Sequence, residues 1–173
     1  MRHLVSIVAG LAIAAGGLGG CSKEKSPRAT ATLESRSGSN ATGEAVFVDV
    51  PGGVKATITV AGAAPGQHGL HIHTTGDCSA LDAESAGPHW NPDTTPHGPP
   101  GGSAHAGDMG NIVVGPDGKG RLDITLEGRS VKDGAHSVVG HAVVLHGNAD
   151  DLMSQPAGNS GPRIACGVIA ETK

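Results

Sequence analysis

From Ala29 onward the chain alternates apolar and polar residues in short bursts, with turn-forming residues between them. A period of two puts successive side chains on opposite faces of an extended strand, whereas a helix needs apolar residues every three or four positions. Ala29-Thr30-Ala31-Thr32-Leu33, Glu44 to Val50 and Val54 to Ala61 carry the pattern, and Pro51-Gly52-Gly53 turns the chain between the last two. His68 to His73, Gly110 to Gly115, Arg121 to Leu126, His141 to His146 and Ile164 to Ala170 complete the set, and Gly115-Pro116-Asp117-Gly118 is a hairpin turn. Composition agrees: 29 glycines, with Phe47 and Trp90 the only Phe, Trp or Tyr, suit short strands joined by turns and long loops. The prediction is an all-β domain without a convincing helix, an eight-stranded antiparallel Greek-key sandwich or flattened barrel. Thr74 to Asp108 and Gly147 to Pro162 fit no strand and are predicted as two long functional loops.

The amino terminus reads as an address. Met1-Arg2-His3 supplies a positive start, and Leu4 to Ala15 is an unbroken run of apolar or small residues, too short for a stable membrane span and suited to a secretory signal. Leu18-Gly19-Gly20-Cys21 then resembles the lipobox of bacterial lipoproteins. On this reading residues 1–20 are a lipoprotein signal peptide and Cys21 is lipidated, an ordinary cleaved signal with an incidental cysteine being the alternative. Residues 21–39, rich in Ser, Thr, Lys, Glu and Arg, are predicted as a flexible tether, and 40–173 as the domain, with a first strand near 29 as the alternative start. The expected location is the bacterial cell envelope, on the periplasmic or surface side, held to a membrane through Cys21. A formal net charge of −4 gives no support to a nucleic-acid partner.

Two further cysteines, Cys78 and Cys166, are better read in an exported chain as a disulfide than as a metal or redox pair, free buried thiols being the alternative. Histidines pose the sharper question, because there are ten. On a strand His71 and His73 project from one face and can reach one ion, whereas His68 has the opposite parity and suits a structural role. His146 ends a later strand, and three imidazoles with an open direction suit copper. His89, His97, His105 and Asp108 lie on the first long loop among Pro88, Pro92, Pro96, Pro99 and Pro100, and three histidines with one carboxylate make a tetrahedral set that zinc accepts.

Taken in order, several motifs resemble those of copper–zinc superoxide dismutases. They are Gly66-Gln67-His68-Gly69-Leu70-His71-Ile72-His73, Gly87-Pro88-His89-Trp90-Asn91-Pro92 and His105-Ala106-Gly107-Asp108-Met109-Gly110-Asn111. Val143-Val144-Leu145-His146, Ala149-Asp150-Asp151-Leu152 and Gly161-Pro162-Arg163-Ile164-Ala165-Cys166 follow, so the likeness spans the whole domain. The resemblance implies one copper held by His71, His73, His89 and His146, and one zinc held by His89, His97, His105 and Asp108, with His89 bridging the two. It also implies that Asp150 links the free nitrogens of His71 and His97, that Cys78 and Cys166 are disulfide-bonded, and that Arg163 attracts and orients superoxide beside the copper. The implied reaction converts two superoxide anions to oxygen and hydrogen peroxide, with His89 donating a proton in the second half.

The sequence departs from the family's eukaryotic members in its second loop. Leu152 to Asn159 is short and uncharged, and Ala157 stands where those proteins have a threonine. That leaves the steering of superoxide to Arg163 and to lysines elsewhere. Trp90 adjoins His89 in place of a smaller aromatic, and its packing, in the core or at a subunit face, stays open, as does assembly into a homodimer. A metal-buffering or chaperone domain of the same fold is the competing reading; the complete ligand set and Arg163 favour the enzyme.

Overall fold

Each alternating burst forms a strand, because one face of each finds apolar cover. The computed structural model describes residues 28–172 apart from 102 and 133; the expected signal peptide, Cys21 and residues up to 27 lie outside the described residues. The strands are β1 (Arg28–Ser35), β2 (Thr42–Val50), β3 (Gly53–Ala61), β4 (Gly66–His73), β5 (Asp108–Val114), β6 (Lys119–Glu127), β7 (Ala142–His146), β8 (Arg163–Val168) and the two-residue β9 (Ala170–Glu171). The long connections expected between β4 and β5 and between β7 and β8 are present, and the first contains a three-residue 3-10 turn at Glu84–Ala86.

Two expectations are corrected. The final burst, read as one strand, splits at Ile169, whose N–H bonds His141 O while its carbonyl accepts from Gly140 N–H. That diversion moves the chain from its β7 partner to β1, where Ala170 and Glu171 pair with Thr30 and Ala29. The tether expected over 21–39 also gives way from residue 28, in line with the alternative start near 29. β1 pairs with β2 from Arg28 opposite Val48 to Leu33 opposite Gly43, and it buries Ala29, Ala31 and Leu33. Its polar appearance comes from the outward-facing Thr and Glu residues, whereas the inward positions are small.

Neighbouring strands run in the order β1-β2-β3-β6-β5-β4-β7-β8, and β8 pairs back onto β1, so eight strands close a barrel. Closure removes free edges that would pair with other chains. Two seams are thin: β1 and β8 share two residue pairs, and β5 and β6 share one. The barrel is therefore flattened into two four-stranded layers, β1-β2-β3-β6 and β5-β4-β7-β8. Phe47, Leu33, Ile58, Leu70, Ile72, Ile112 and Leu145 fill the space between them, each contributing about 1.5–3 kcal/mol by leaving water. Trp90 belongs to this core at 3% exposure, its ring tilted against that of His141 with centroids 4.6 Å apart.

A small apolar cluster of Ala83, Ala86, Ala142, Val144 and Cys166 lies outside the second layer, with Cys78 packed against it. Cys78 and Cys166 form a disulfide that ties the first long loop to β8, and Arg36 donates to the Cys78 carbonyl from Nε and Nη2. Closing a loop across 88 positions restricts the unfolded chain. Replacing both cysteines, Cys78→Ser with Cys166→Ser, is expected to cost about 2–5 kcal/mol in urea unfolding. A loss under about 0.5 kcal/mol would show that the loop is held without the bond.

Candidate metal centre

Two imidazoles leave β4 on the face turned from the core. Leu70 and Ile72 point inward, so His71 and His73 share the outer face. His68 has the inward parity, and its two ring nitrogens lie against His146 O at 2.9 Å and Ala64 O at 2.8 Å. β7 lies beside β4 with Val144 opposite His71, and ends at His146, which sits opposite Arg163 at the start of β8.

The first long loop folds back over this face through backbone bonds. Trp90 N–H donates to Ile72 O at 2.8 Å, Ile72 N–H to Gly107 O at 2.8 Å, and Gly107 N–H to Trp90 O at 2.9 Å. Gly107 is required there, since a Cβ would collide with the Ile72 carbonyl. The result sets His89 on His71, ring centroids 3.9 Å apart, and delivers Asp108 at the start of β5. His97 is clasped from the second loop: its N–H donates to Gln155 Oε1 at 2.8 Å, and Gln155 Nε2 donates to its carbonyl at 2.9 Å.

His71, His73, His89 and His146 each offer a ring nitrogen within 4.8 Å of the others, and all four are buried. His73 Nε2 and His146 Nε2 face each other at 3.3 Å, while their Nδ1 atoms lie against Gly87 O at 2.8 Å and Gly161 O at 3.3 Å. A carbonyl accepts, so each Nδ1 carries the proton and the two Nε2 lone pairs confront each other. A shared cation resolves that confrontation. An overlapping group contains His71, His89, His97 and Asp108. Asp108 Oδ1 is 3.0 Å from His89 Nδ1, and Oδ2 is 3.0 Å from His97 Nδ1. His105 stands just outside this group, its Nδ1 3.4 Å from Asp108 Oδ1.

Unpaired buried nitrogens line both groups, as a site built for cations requires. Among the described residues, four buried ring nitrogens make no hydrogen bond: His71 Nδ1, His89 Nε2, His97 Nδ1 and His105 Nδ1. Each such orphan costs about 1–3 kcal/mol without a partner, and these four surround the two groups. An all-nitrogen set suits copper, and nitrogens with a carboxylate suit zinc. His89 turns Nδ1 toward Asp108 and leaves Nε2 for the other group, so one ring faces both. Asp150 accepts from His71 Nε2 at 2.8 Å and from His97 Nε2 at 2.9 Å, which leaves their Nδ1 atoms as the lone-pair donors.

Burial, then the neighbouring His89 and His146, hold His71 well below the ordinary histidine range. Burial lowers His73 to about 2 and His146 to about 4, with Arg163's charge adding to both, and it lowers His105 as well. Burial pushes the Asp108 carboxyl up, but the His89 hydrogen bond, the Gly98 N–H and the charges of His97 and His105 outweigh it and bring it down. Neutral imidazole and ionised carboxylate are the ligating forms. A cleft of about 540 Å³ reaches His73, His89 and His146 between walls that include Arg163, Glu84 and Ala157.

Three supporting residues escape a reading of the sequence. Asn111 clasps the Asp150 backbone, donating from Nδ2 to its carbonyl at 2.9 Å and accepting its N–H at 2.7 Å. Gln155 does the same for His97. Gly158, at φ +63°, leaves no room for a Cβ, which would overlap the Asp150 carboxylate and lie 2.7 Å from His97 Nε2. The positive φ that a glycine permits is a weak signal; the amide clasps have no local signal at all.

Comparison with known proteins agrees with this geometry. Residues 41–169 match the family described as copper/zinc superoxide dismutase (SODC). The chain is 41% identical to superoxide dismutase [Cu-Zn] 2 of Brassica juncea over 151 residues, covering 82% of this chain and 96% of that protein. Its fold is similar to the crystal structure of the clock protein EA4, with a TM-score of 0.75 and 36% identity, covering 85% of this chain and 96% of that one.

Two outcomes follow for the metal-free protein. Unfolded histidines take up protons near pH 6.5, whereas folded His146 does so only near 4 and His73 near 2. The unfolded state thus binds more protons between those values, and stability falls as pH drops from about 6.5 toward 4. Urea midpoints of the metal-free protein at pH 7.5 and 5.5, a range above the carboxylate titrations, are expected to differ in that direction; equal midpoints would contradict it. Gly158→Ala is expected to weaken zinc retention at least tenfold against a chelator, and unchanged retention would show that the Asp150–His97 link yields without cost.

Proposed function

The chain belongs to the copper/zinc superoxide dismutase family, and on that premise we propose how its own residues dismutate superoxide and where. Copper is assigned to His71, His73, His89 and His146, and zinc to His89, His97, His105 and Asp108. One observation carries the assignment: the orphaned nitrogens divide between the two groups while His89 faces both. His71 is kept from the zinc set because its one free nitrogen is shared with the copper set, whereas the orphan Nδ1 of His105 lies beside Asp108 alone.

The chemistry that copper supplies when bound is one-electron exchange with superoxide in alternating directions; zinc is not redox-active. The chain supplies the rest. Arg163 stands at the cleft with Nη1 anchored on Ala83 O at 2.8 Å, so a fixed guanidinium attracts and orients a small anion. Asp150 holds His71 and His97 in the tautomer that turns Nδ1 toward the metals. Two superoxide anions and two protons give one oxygen and one hydrogen peroxide, and His89 Nε2 is the ring nitrogen suited to hold a proton for the second half.

The proposed setting is the bacterial cell envelope. The signal-like first twenty residues and the lipobox-like Leu18-Gly19-Gly20-Cys21 support export and a lipid on Cys21. The Cys78–Cys166 disulfide supports an oxidising compartment.

The purified protein loaded with both metals is expected to consume superoxide, and His146→Ala to reduce that at least a hundredfold while retaining one zinc. A parent that binds both metals and leaves superoxide untouched would make it a metal-buffering protein. Labelled palmitate is expected to enter the expressed wild-type chain in a bacterial host and be absent from Cys21→Ser; equal labelling would place the lipid elsewhere.

A further inference from the structure

Both Nη atoms of Arg163 are held by the 3-10 turn of the first loop. Nη1 donates to Ala83 O, and Nη2 lies 3.2 Å from Glu84 Oε2. The turn is built in place: buried Ala83 adopts φ 59° and packs beside the disulfide, and Glu84 N–H donates to Asp82 Oδ1 at 3.0 Å. Glu84 therefore stands at a defined point of the cleft wall, with Arg163 mostly buried and its own carboxylate mostly exposed. Arg163 shares the cleft wall with the proposed copper ligands His73, His89 and His146, and it sits opposite His146 in the β7–β8 register. A carboxylate in contact with that guanidinium subtracts from its field, at the place where an anion enters.

We propose that Glu84 is a positioning residue that attenuates anion entry: it offsets part of the Arg163 charge and so sets how strongly the cleft draws small monoanions, superoxide among them. The inference rests on the cleft's assignment as the superoxide route. The Ala83 carbonyl anchors Nη1 independently, so losing the carboxylate charge raises the cleft's positive potential without releasing the arginine. For two charges a few ångströms apart near a surface, the effect on a bound anion is about two- to fivefold.

The test uses the full chain loaded with both metals and the monoanion azide, followed by the absorption it produces on binding copper. Glu84→Gln keeps a hydrogen-bonding side chain and removes the charge; Glu84→Ala removes both. Both variants are expected to bind azide about two- to fivefold more tightly than the parent at low ionic strength, converging with it near 1 M salt, where screening acts within ~3 Å. Superoxide consumption is expected to rise with the same salt dependence. Unchanged azide affinity at low salt would overturn the proposal, because the pair would then be a screened surface contact. Weaker binding in either variant would also overturn it, making Glu84 an orienting clamp instead. Absence of azide-dependent absorption in the parent would overturn the assignment of the cleft itself, and the inference with it.

Discussion

Asp150 presents one carboxylate oxygen to His71 Nε2 and the other to His97 Nε2, and the centre is organised around that bridge. His71 is fixed to β4 and His97 to the first long loop, so a single side chain from the second loop joins strand and loop. The carboxylate also accepts the Leu152 N–H at 2.7 Å, and Asn111 clasps its backbone from β5. A buried carboxylate is costly unless its oxygens are satisfied. Here every partner that satisfies it also orients a proposed ligand or anchors a loop, so its stability and the ligand geometry are one requirement.

The histidines impose a second condition. Packed together and out of water, His71, His73 and His146 resist protonation, and lone pairs then face one another, as His73 Nε2 and His146 Nε2 do at 3.3 Å. Such a cluster is unfavourable alone and favourable around cations, which is how the fold can concentrate metal affinity in the all-histidine group without acidic ligands. Arg163 adds fixed positive charge at the open end, and the cleft beside the four-histidine group can therefore attract an anion while His73 and His146 stay neutral.

The barrel divides the work between rigid and supplied parts. His71, His73 and His146 lie on two adjacent strands whose inward residues fill the core, so their backbone positions are set by packing. His89, His97 and His105 come from a loop that packing alone cannot hold. Backbone bonds to Ile72, the Gln155 clasp and the disulfide to β8 do so instead. The same disulfide-tethered segment carries Ala83 and Glu84, which places control of Arg163 outside the barrel proper.

The strands were legible from the sequence because alternation is a local property: a residue's face follows from its parity, which separated His68 from His71 and His73. The ligand types were legible as well, since few groups bind metals and the motifs stand in a recognisable order. The Ala29–Leu33 alternation marked β1 correctly, and only the boundary of the tether was obscured, because a Ser-, Thr- and Glu-rich run shows no buried face until a partner strand supplies one. Asn111 to Asp150, Gln155 to His97 and Arg163 to Ala83 join positions 39, 58 and 80 apart. No local pattern marks such contacts, because closure of the barrel and the folding back of both loops create them. The sequence by itself determined which faces would be apolar and which side chains could bind a cation; tertiary structure alone decided which nitrogens lack partners, which carboxylate bridges the rings and which one meets the arginine, because those are distances between segments that only packing brings together.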